Sequence, residues 1–347
     1  MNPAATPSPP RLSIVIPTVN RAYCVGRAIE SALAQTYPHI EIIVSDNGSS
    51  DTTREVLAKY DDPRLRKYHR ADTIPSSAHG NFLLDSARGD FFLGLSDDDF
   101  LEPTFAEKVM ALFDRHQDLA FVYTGCLIHY GDARVPCLIG PEVEDGMDFI
   151  ENHYAGWRNI CWCACVSRLS LVREIGHLPM DVRIGDMYFW TRLAFLGRVG
   201  CVQEAVSNYV FLTDDNATGG VPPHLWAAEE EQLMAGVEQR FRNSGESDRR
   251  RERLQKTMAR YLSLTTSLQF VWVALRGMGK GQQISSLLRV WNIIQPINGG
   301  LKYLMAALLL PRSFLRRVVI SRARVTACHN AKTLALWQRH ILRGIRS

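Results

Sequence analysis

In the first part of the chain, short apolar runs alternate with stretches whose apolar residues recur at helical spacing. LSIVIP, from Leu12 to Pro17, has the β-branched composition of a strand buried on both faces. Val25, Ile29, Ala32 and Leu33 then mark one face of a helix over Val25–Gln35, and IEIIVSD reads as a second buried strand ending at Asp46. Strand, helix and strand in this order predict a βαβ unit. The turn Asn47-Gly48-Ser49-Ser50-Asp51 opens a helix over Thr52–Tyr60, with Ser50 or Asp51 as its N-cap. A weaker strand over Leu65–His69 and a helix over Ala78–Ala87 lead into the apolar strand FFLGLS, which stops at Asp97-Asp98-Asp99. A helix over Pro103–His116 and a strand over Ala120–Thr124 extend the series. This alternation predicts an α/β fold with a doubly wound, mainly parallel, Rossmann-like sheet.

Further on the pattern loosens. Cys137 to Tyr154 is polar and Gly-rich, and Asn159 to Tyr209 holds two strand candidates around an acidic, aromatic stretch, Arg183 to Leu196. Cys161, Cys163 and Cys165 alternate at strand period, which predicts one strand face carrying all three thiols into the core. Beyond Pro222 and Pro223 the chain reads as helical. Three regions result: a disordered lead-in over 1–10, an α/β domain over 11–222, and a helical, basic C-terminal region over 223–347.

Composition adds two constraints. The 347 residues are 46% hydrophobic, as in a globular protein, and the 8 Cys show no CxxC or His-Cys spacing, so they are expected to be reduced and buried. Together with an N-terminus that lacks a signal peptide's basic and apolar regions, this points to a cytoplasmic protein. Charge is strongly divided. Residues 240–347 carry 21 Lys and Arg against 3 Asp and Glu, a net +18, while the preceding residues carry −14. Such a tail is drawn to polyanions, here an anionic membrane surface in preference to nucleic acid. Its apolar stretches, Tyr261–Leu275 and Leu301–Leu310, are shorter than the ~20 residues a membrane-spanning helix needs. They read either as helices lying in a membrane interface or as a helical subdomain with a basic outer face.

The densest chemistry is Ser96-Asp97-Asp98-Asp99. Three adjacent carboxylates repel one another unless a cation intervenes, and an oxygen-only ligand set suits Mg2+ or Mn2+. The competing reading is a run of helix-capping residues ahead of Pro103. Asp46, at the end of the second strand, reads either as an Asx-turn residue or as a ligand-facing carboxylate.

At these residues the sequence resembles the family 2 glycosyltransferases of the GT-A fold. SIVIPTVNRA, IIVSDNGSSDTT, NFLLDSARG, FFLGLSDDDF, NICWCACVSRLSLVREIGHLP and RIGDMYFWTRLAFLG occur in the family's order, over about residues 11–215. The resemblance implies an inverting transferase that moves a sugar from a nucleotide-sugar donor, UDP-linked, to a saccharide hydroxyl. It places Pro17, Thr18, Arg21 and Asn81 beside the donor, Asp46 on its base, Asp97 and Asp98 on its ribose and diphosphate side, and Asp99 with Asp97 on the metal. Asp186 becomes the base that deprotonates the acceptor, its alternative being the N-cap of the helix Met187–Leu196, and Trp190 falls on the acceptor side. A lipid-linked acceptor at the inner face of a bacterial cytoplasmic membrane, in surface polysaccharide synthesis, would suit the basic tail. Two departures stand out: Gly80, preceded by His79, replaces an Arg found in many relatives, and the region of a later metal-binding His offers Asp214, Asp215 and Asn216. They keep open a noncatalytic nucleotide-sugar or nucleic-acid binding protein on the same fold. A nucleotidyltransferase is disfavoured because PTVNRAYCVG is a poor phosphate loop.

Overall fold

The computed structural model describes residues 11–130, 133–137, 139–158, 160–176, 185–210, 235–243 and 245–258. Contacts divide the chain into two units, residues 1–150 with 159–211 and residues 151–158 with 212–347. In the first unit the strands are β1 (Leu12–Thr18), β2 (Ile40–Asp46), β3 (Leu65–His69), β4 (Phe91–Gly94), β5 (Phe100–Leu101), β6 (Leu119–Tyr130), β7 (Ala133–Pro136), β8 (Val143–Glu144), β9 (Cys165–Arg168) and β10 (Arg198–Val210). Between them lie α1 (Val25–Leu33), α2 (Thr53–Ala58), α3 (Ser76–Ser86), α4 (Phe105–Arg115), α5 (Gly146–Tyr154), α6 (Leu169–Ile175) and α7 (Gly185–Ala194).

All ten strands join one sheet in the order β3-β2-β1-β4-β9-β6-β10-β5, with β7 beside β6 and β8 beside β10. The β3-β2-β1-β4 half is parallel, and so is the long β6–β10 pair; β9 runs antiparallel to both β4 and β6 and so links the two. Sequence explains the difference. The parallel strands β1 and β2 are apolar and buried almost end to end, as crossover helices on both faces require, and α1 presents Val25, Ala28, Ile29 and Ala32 to them. The core runs on through Phe91, Phe105, Phe113 and Val122.

A buried ionic knot sets the start of β4. Glu41 accepts hydrogen bonds from Ser13 Oγ (2.7 Å), from the Arg88 amide (2.6 Å) and from Arg66 Nη1 (2.8 Å), while the Gly89 amide donates to Ser13 Oγ (2.9 Å). The segment that enters β4 is thereby fixed against β1 and β2.

Three expectations change. Cys161, Cys163 and Cys165 do not share a strand face: Trp162–Ala164 form a 3-10 turn, and β9 begins only at Cys165. The reason lies in Trp162, whose bulky ring needs a turn to reach Gly94 instead of following the pleat. The strand expected over Ala120–Thr124 runs much further, from Leu119 to Tyr130, and the unpatterned stretch after Cys137 yields β8 and α5. In the second unit, helices over 235–243 and 248–258 are described, and Glu151 accepts from Arg250 Nε (2.6 Å) and Arg253 Nη2 (2.8 Å). The remainder of the 223–347 region and the 1–10 lead-in lie outside the described residues, as do Asp214, Asp215 and Asn216.

Candidate active site

Parallel strands β1, β2 and β4 end on one edge of the sheet, where open α/β sheets collect their ligands. Thr18 stands opposite Asp46 in the register, and Pro17, which has no amide hydrogen, stands opposite Ser45. After Gly94 the ladder extends by one bond, Leu95 N–H to Val15 carbonyl (2.9 Å), and the chain then closes a tight turn through Asp99 N–H to the Ser96 carbonyl (3.1 Å). The three aspartates thus project from a turn, which answers the capping alternative: α4 begins only at Phe105.

Each carboxylate has its own surroundings. Asp97 Oδ2 accepts from Thr18 Oγ1 at 2.7 Å, and Asp98 Oδ2 meets Arg21 Nη1 at 3.4 Å while its backbone carbonyl accepts from Arg27 Nη2 at 2.6 Å. Asp99 is fully buried; its Oδ1 accepts from the Val210 amide at 2.8 Å, tying the turn to the end of β10. Asp99 Oδ2 is buried without a hydrogen-bond partner among the described residues. Burial pushes the Asp97 carboxyl up to about 6, raises Asp98, and raises Asp99 well above the usual range, with the Asp98 charge adding to the last. Three successive carboxylates, one with an orphaned oxygen, offer the hard oxygen donors that suit a divalent cation such as Mn2+ or Mg2+, although the three do not converge within 4.8 Å of one another.

The second cluster surrounds Asp46. Its Oδ1 accepts from the Ser49 amide at 2.9 Å, an Asx turn, whereas Oδ2 is buried without a hydrogen bond and has only the longer ionic approaches of His69 Nδ1 (3.6 Å) and Arg54 Nε (3.8 Å). The Asx-turn alternative for Asp46 is therefore present on Oδ1, and Oδ2 is left without a hydrogen bond. Beside it lies a cleft of about 370 Å3 lined by His69, Arg70, Ala71, Asp72 and Ile74. Asn47, unremarked in the sequence, latches the cleft wall: its Nδ2 donates to the Ile74 carbonyl (2.9 Å) and its Oδ1 accepts from the Ile74 amide (3.1 Å). His79, in place of the family's Arg neighbourhood, is buried on α3 with Nε2 2.8 Å from Ser45 Oγ; Asn81 follows on the same helix, half-buried.

Asp186 lies half-buried in the first turn of α7, which begins at Gly185, too early for Asp186 to be the N-cap, and its Oδ1 accepts from the Met187 amide at 2.7 Å. Trp190 differs from expectation. It is 1% exposed and its ring lies 6.2 Å from that of Trp162, so its faces are spent on packing and are not offered to a sugar. The half-buried Trp162 is the aromatic that sequence reasoning missed. A Cβ on Gly94 would fall 2.4 Å from Trp162 Nε1, so the indole lies directly on the end of β4 while its other neighbours are Phe189 and Trp190 of α7. Gly94 itself was the available signal, because a lone glycine inside a bulky strand marks a close approach.

The chain is similar to known proteins in sequence and in fold. Residues 13–135 match the family model "Glycosyl transferase family 2". Over 117 residues the chain is 36% identical to a chondroitin synthase of Pasteurella multocida, covering 33% of this chain and 12% of that protein. Over 123 residues it is 37% identical to a GalNAc(5)-diNAcBac-PP-undecaprenol beta-1,3-glucosyltransferase of Campylobacter jejuni, covering 34% of this chain and 39% of that one. The matches therefore span well under half the length of these relatives. Among solved structures, S. aureus TarS 1-349 in complex with UDP-GlcNAc superposes with a TM-score of 0.62 at 17% identity, covering 82% of this chain and 81% of that one. A mannosyltransferase from Pyrobaculum calidifontis in complex with GDP-Man and Mn2+ gives 0.50 at 16% identity, covering 92% and 86%. The fold is thus of the GT-A type, a mixed, mostly parallel sheet with helices.

Proposed function

Because residues 13–135 match the family model Glycosyl transferase family 2, we propose that this chain is an inverting, metal-dependent glycosyltransferase taking a UDP-linked sugar and delivering it to a saccharide hydroxyl. The orphaned Asp99 Oδ2, on a turn that also carries Asp97 and Asp98 at the ligand edge of the sheet, carries the reading. Asp99 and Asp97 would hold Mn2+ or Mg2+, which when bound offsets the charge of the departing diphosphate, an effect worth several kcal/mol in comparable sites. Asp46 Oδ2 accepts from the imide N–H of the base lodged in the cleft, and Arg70, whose Nε is buried without an acceptor, answers a base carbonyl. Thr18 and Arg21 orient Asp97 and Asp98 and lie beside the ribose and phosphates. Asn81, on α3, completes the donor side.

On the acceptor side Asp186 takes the proton as the acceptor oxygen bonds to the anomeric carbon and the carbon–oxygen bond to the diphosphate breaks, inverting that carbon. The Campylobacter relative's name specifies a PP-undecaprenol-linked substrate, and the +18 tail provides attraction to an anionic leaflet. A lipid-linked saccharide acceptor in surface polysaccharide synthesis, met at the inner face of the cytoplasmic membrane, accounts for both. The test is donor consumption with added Mn2+, with chelator, and in Asp99→Asn. Turnover should disappear with chelator and fall by roughly a thousandfold in the variant, the equivalent of ~4 kcal/mol; a metal-independent, active Asp99→Asn protein would sink the assignment.

A further inference from the structure

Beneath the aspartate turn, the fold gathers thiols that lie far apart in sequence. Cys126 sits in β6, Cys137 just past β7, and Cys161 and Cys163 at the 3-10 turn before β9. The Sγ atoms of Cys126, Cys137 and Cys161 all lie within 4.8 Å of one another, and Cys137 and Cys161 are 3.7 Å apart. Cys163, two residues past Cys161, stands outside this cluster, its thiol donating to the Asn208 carbonyl at 3.8 Å. All four are buried, at 0% (Cys126), 7% (Cys137), 8% (Cys161) and 0% (Cys163) exposure.

Geometry distinguishes this cluster from ordinary thiol packing and from a disulfide. A tetrahedral zinc with Zn–S bonds of ~2.3 Å has sulfur–sulfur edges of ~3.8 Å, close to the Cys137–Cys161 spacing, whereas a disulfide needs ~2.05 Å. A disulfide would also use two of the three thiols and leave one behind. Elsewhere in the core, the Cys165 thiol instead pairs with Ser167 Oγ at 3.9 Å. The ligands come from three separate segments, so no CxxC spacing announces them.

We propose that Cys126, Cys137 and Cys161 bind one structural zinc ion as a buried three-thiolate site. Each thiol gives up its proton on binding, and the ion cross-links the β6–β7 hairpin to the turn that carries Trp162. Because Trp162 directly follows the ligand Cys161 and lies against Gly94, the ion also anchors the indole on the end of β4. This second metal centre is distinct in chemistry from the oxygen-ligated one above it.

The full chain, purified under reducing conditions and passed through gel filtration, should carry about one zinc per molecule by elemental analysis. Replacement by Co2+ should give the near-ultraviolet thiolate-to-cobalt absorption, which an all-oxygen site cannot produce. Cys126→Ser and Cys161→Ser should lose both signals, while Cys165→Ser and Asp97→Asn keep them. A wild-type protein free of zinc, with no cobalt–thiolate band and thiols that titrate freely, overturns the proposal, as does a Cys137–Cys161 disulfide found by mass spectrometry. The wild-type measurement decides the matter even where a serine variant fails to fold.

Discussion

At the scale of single residues, two side chains lend themselves to direct test. Replacing Asp186 by Asn keeps the oxygen that meets the Met187 amide but removes the proton acceptor. Steady-state kinetics should therefore show kcat down by about 100- to 10,000-fold, with little change in donor KM and an unchanged melting temperature. His79 offers a pH test. Burial, aided by Arg70, pushes its imidazole down to about 4, and burial does the same to His153. In the unfolded chain a histidine titrates near ~6.5, so between these values the unfolded state binds protons that the folded state refuses. Stability should be full above pH ~6.5 and fall as the pH drops toward about 4, and His79→Asn should flatten part of that slope in urea titrations at successive pH values. The placement of Asp46 and Asp97–Asp99 at strand ends was legible in the sequence because each motif packs a strand end and its carboxylate into adjacent positions. Trp190 was not, since only tertiary packing against Trp162 decides whether an aromatic on α7 faces a sugar or the core.

At the scale of elements, β1, β2, α1 and α4 could be read directly, because buried parallel strands and amphipathic helices write their periods plainly. The strands β5 and β8, of 2 residues each, are too short to carry a period and exist only through their pairing with β10. The Cys161–Cys165 alternation misled for a related reason: a 3-10 turn can place small buried residues at the same spacing as a pleat. Two substitutions probe how elements are joined. Gly94→Ala would force the Trp162 ring off β4 and should cost about 1–3 kcal/mol by denaturant unfolding, with a loss of Mn2+-dependent donor turnover as the adjacent turn shifts. Glu41→Ala leaves Arg66 and the Arg88 amide without their acceptor and should cost roughly 3 kcal/mol, read from the same unfolding curves.

At the scale of the whole chain, the separation of charge and the sheet order each have a consequence. Among the described residues no helix is long and apolar enough to cross a membrane, so attraction to a lipid surface would rest on the +18 tail. The full chain should co-sediment with anionic vesicles, ignore neutral ones, and be released as added salt shortens the Debye length below ~8 Å. The sheet order acts earlier in the protein's life. Because β9 lies between β4 and β6, the ribosome delivers β1 through β4 long before the residues that flank β4 on its far side. Until Cys165–Arg168 emerge, Phe91–Leu93 is an unpaired, apolar edge open to any passing strand. A nascent chain stalled between these points is a template for self-association, and the cell must shield it with a chaperone or complete it quickly.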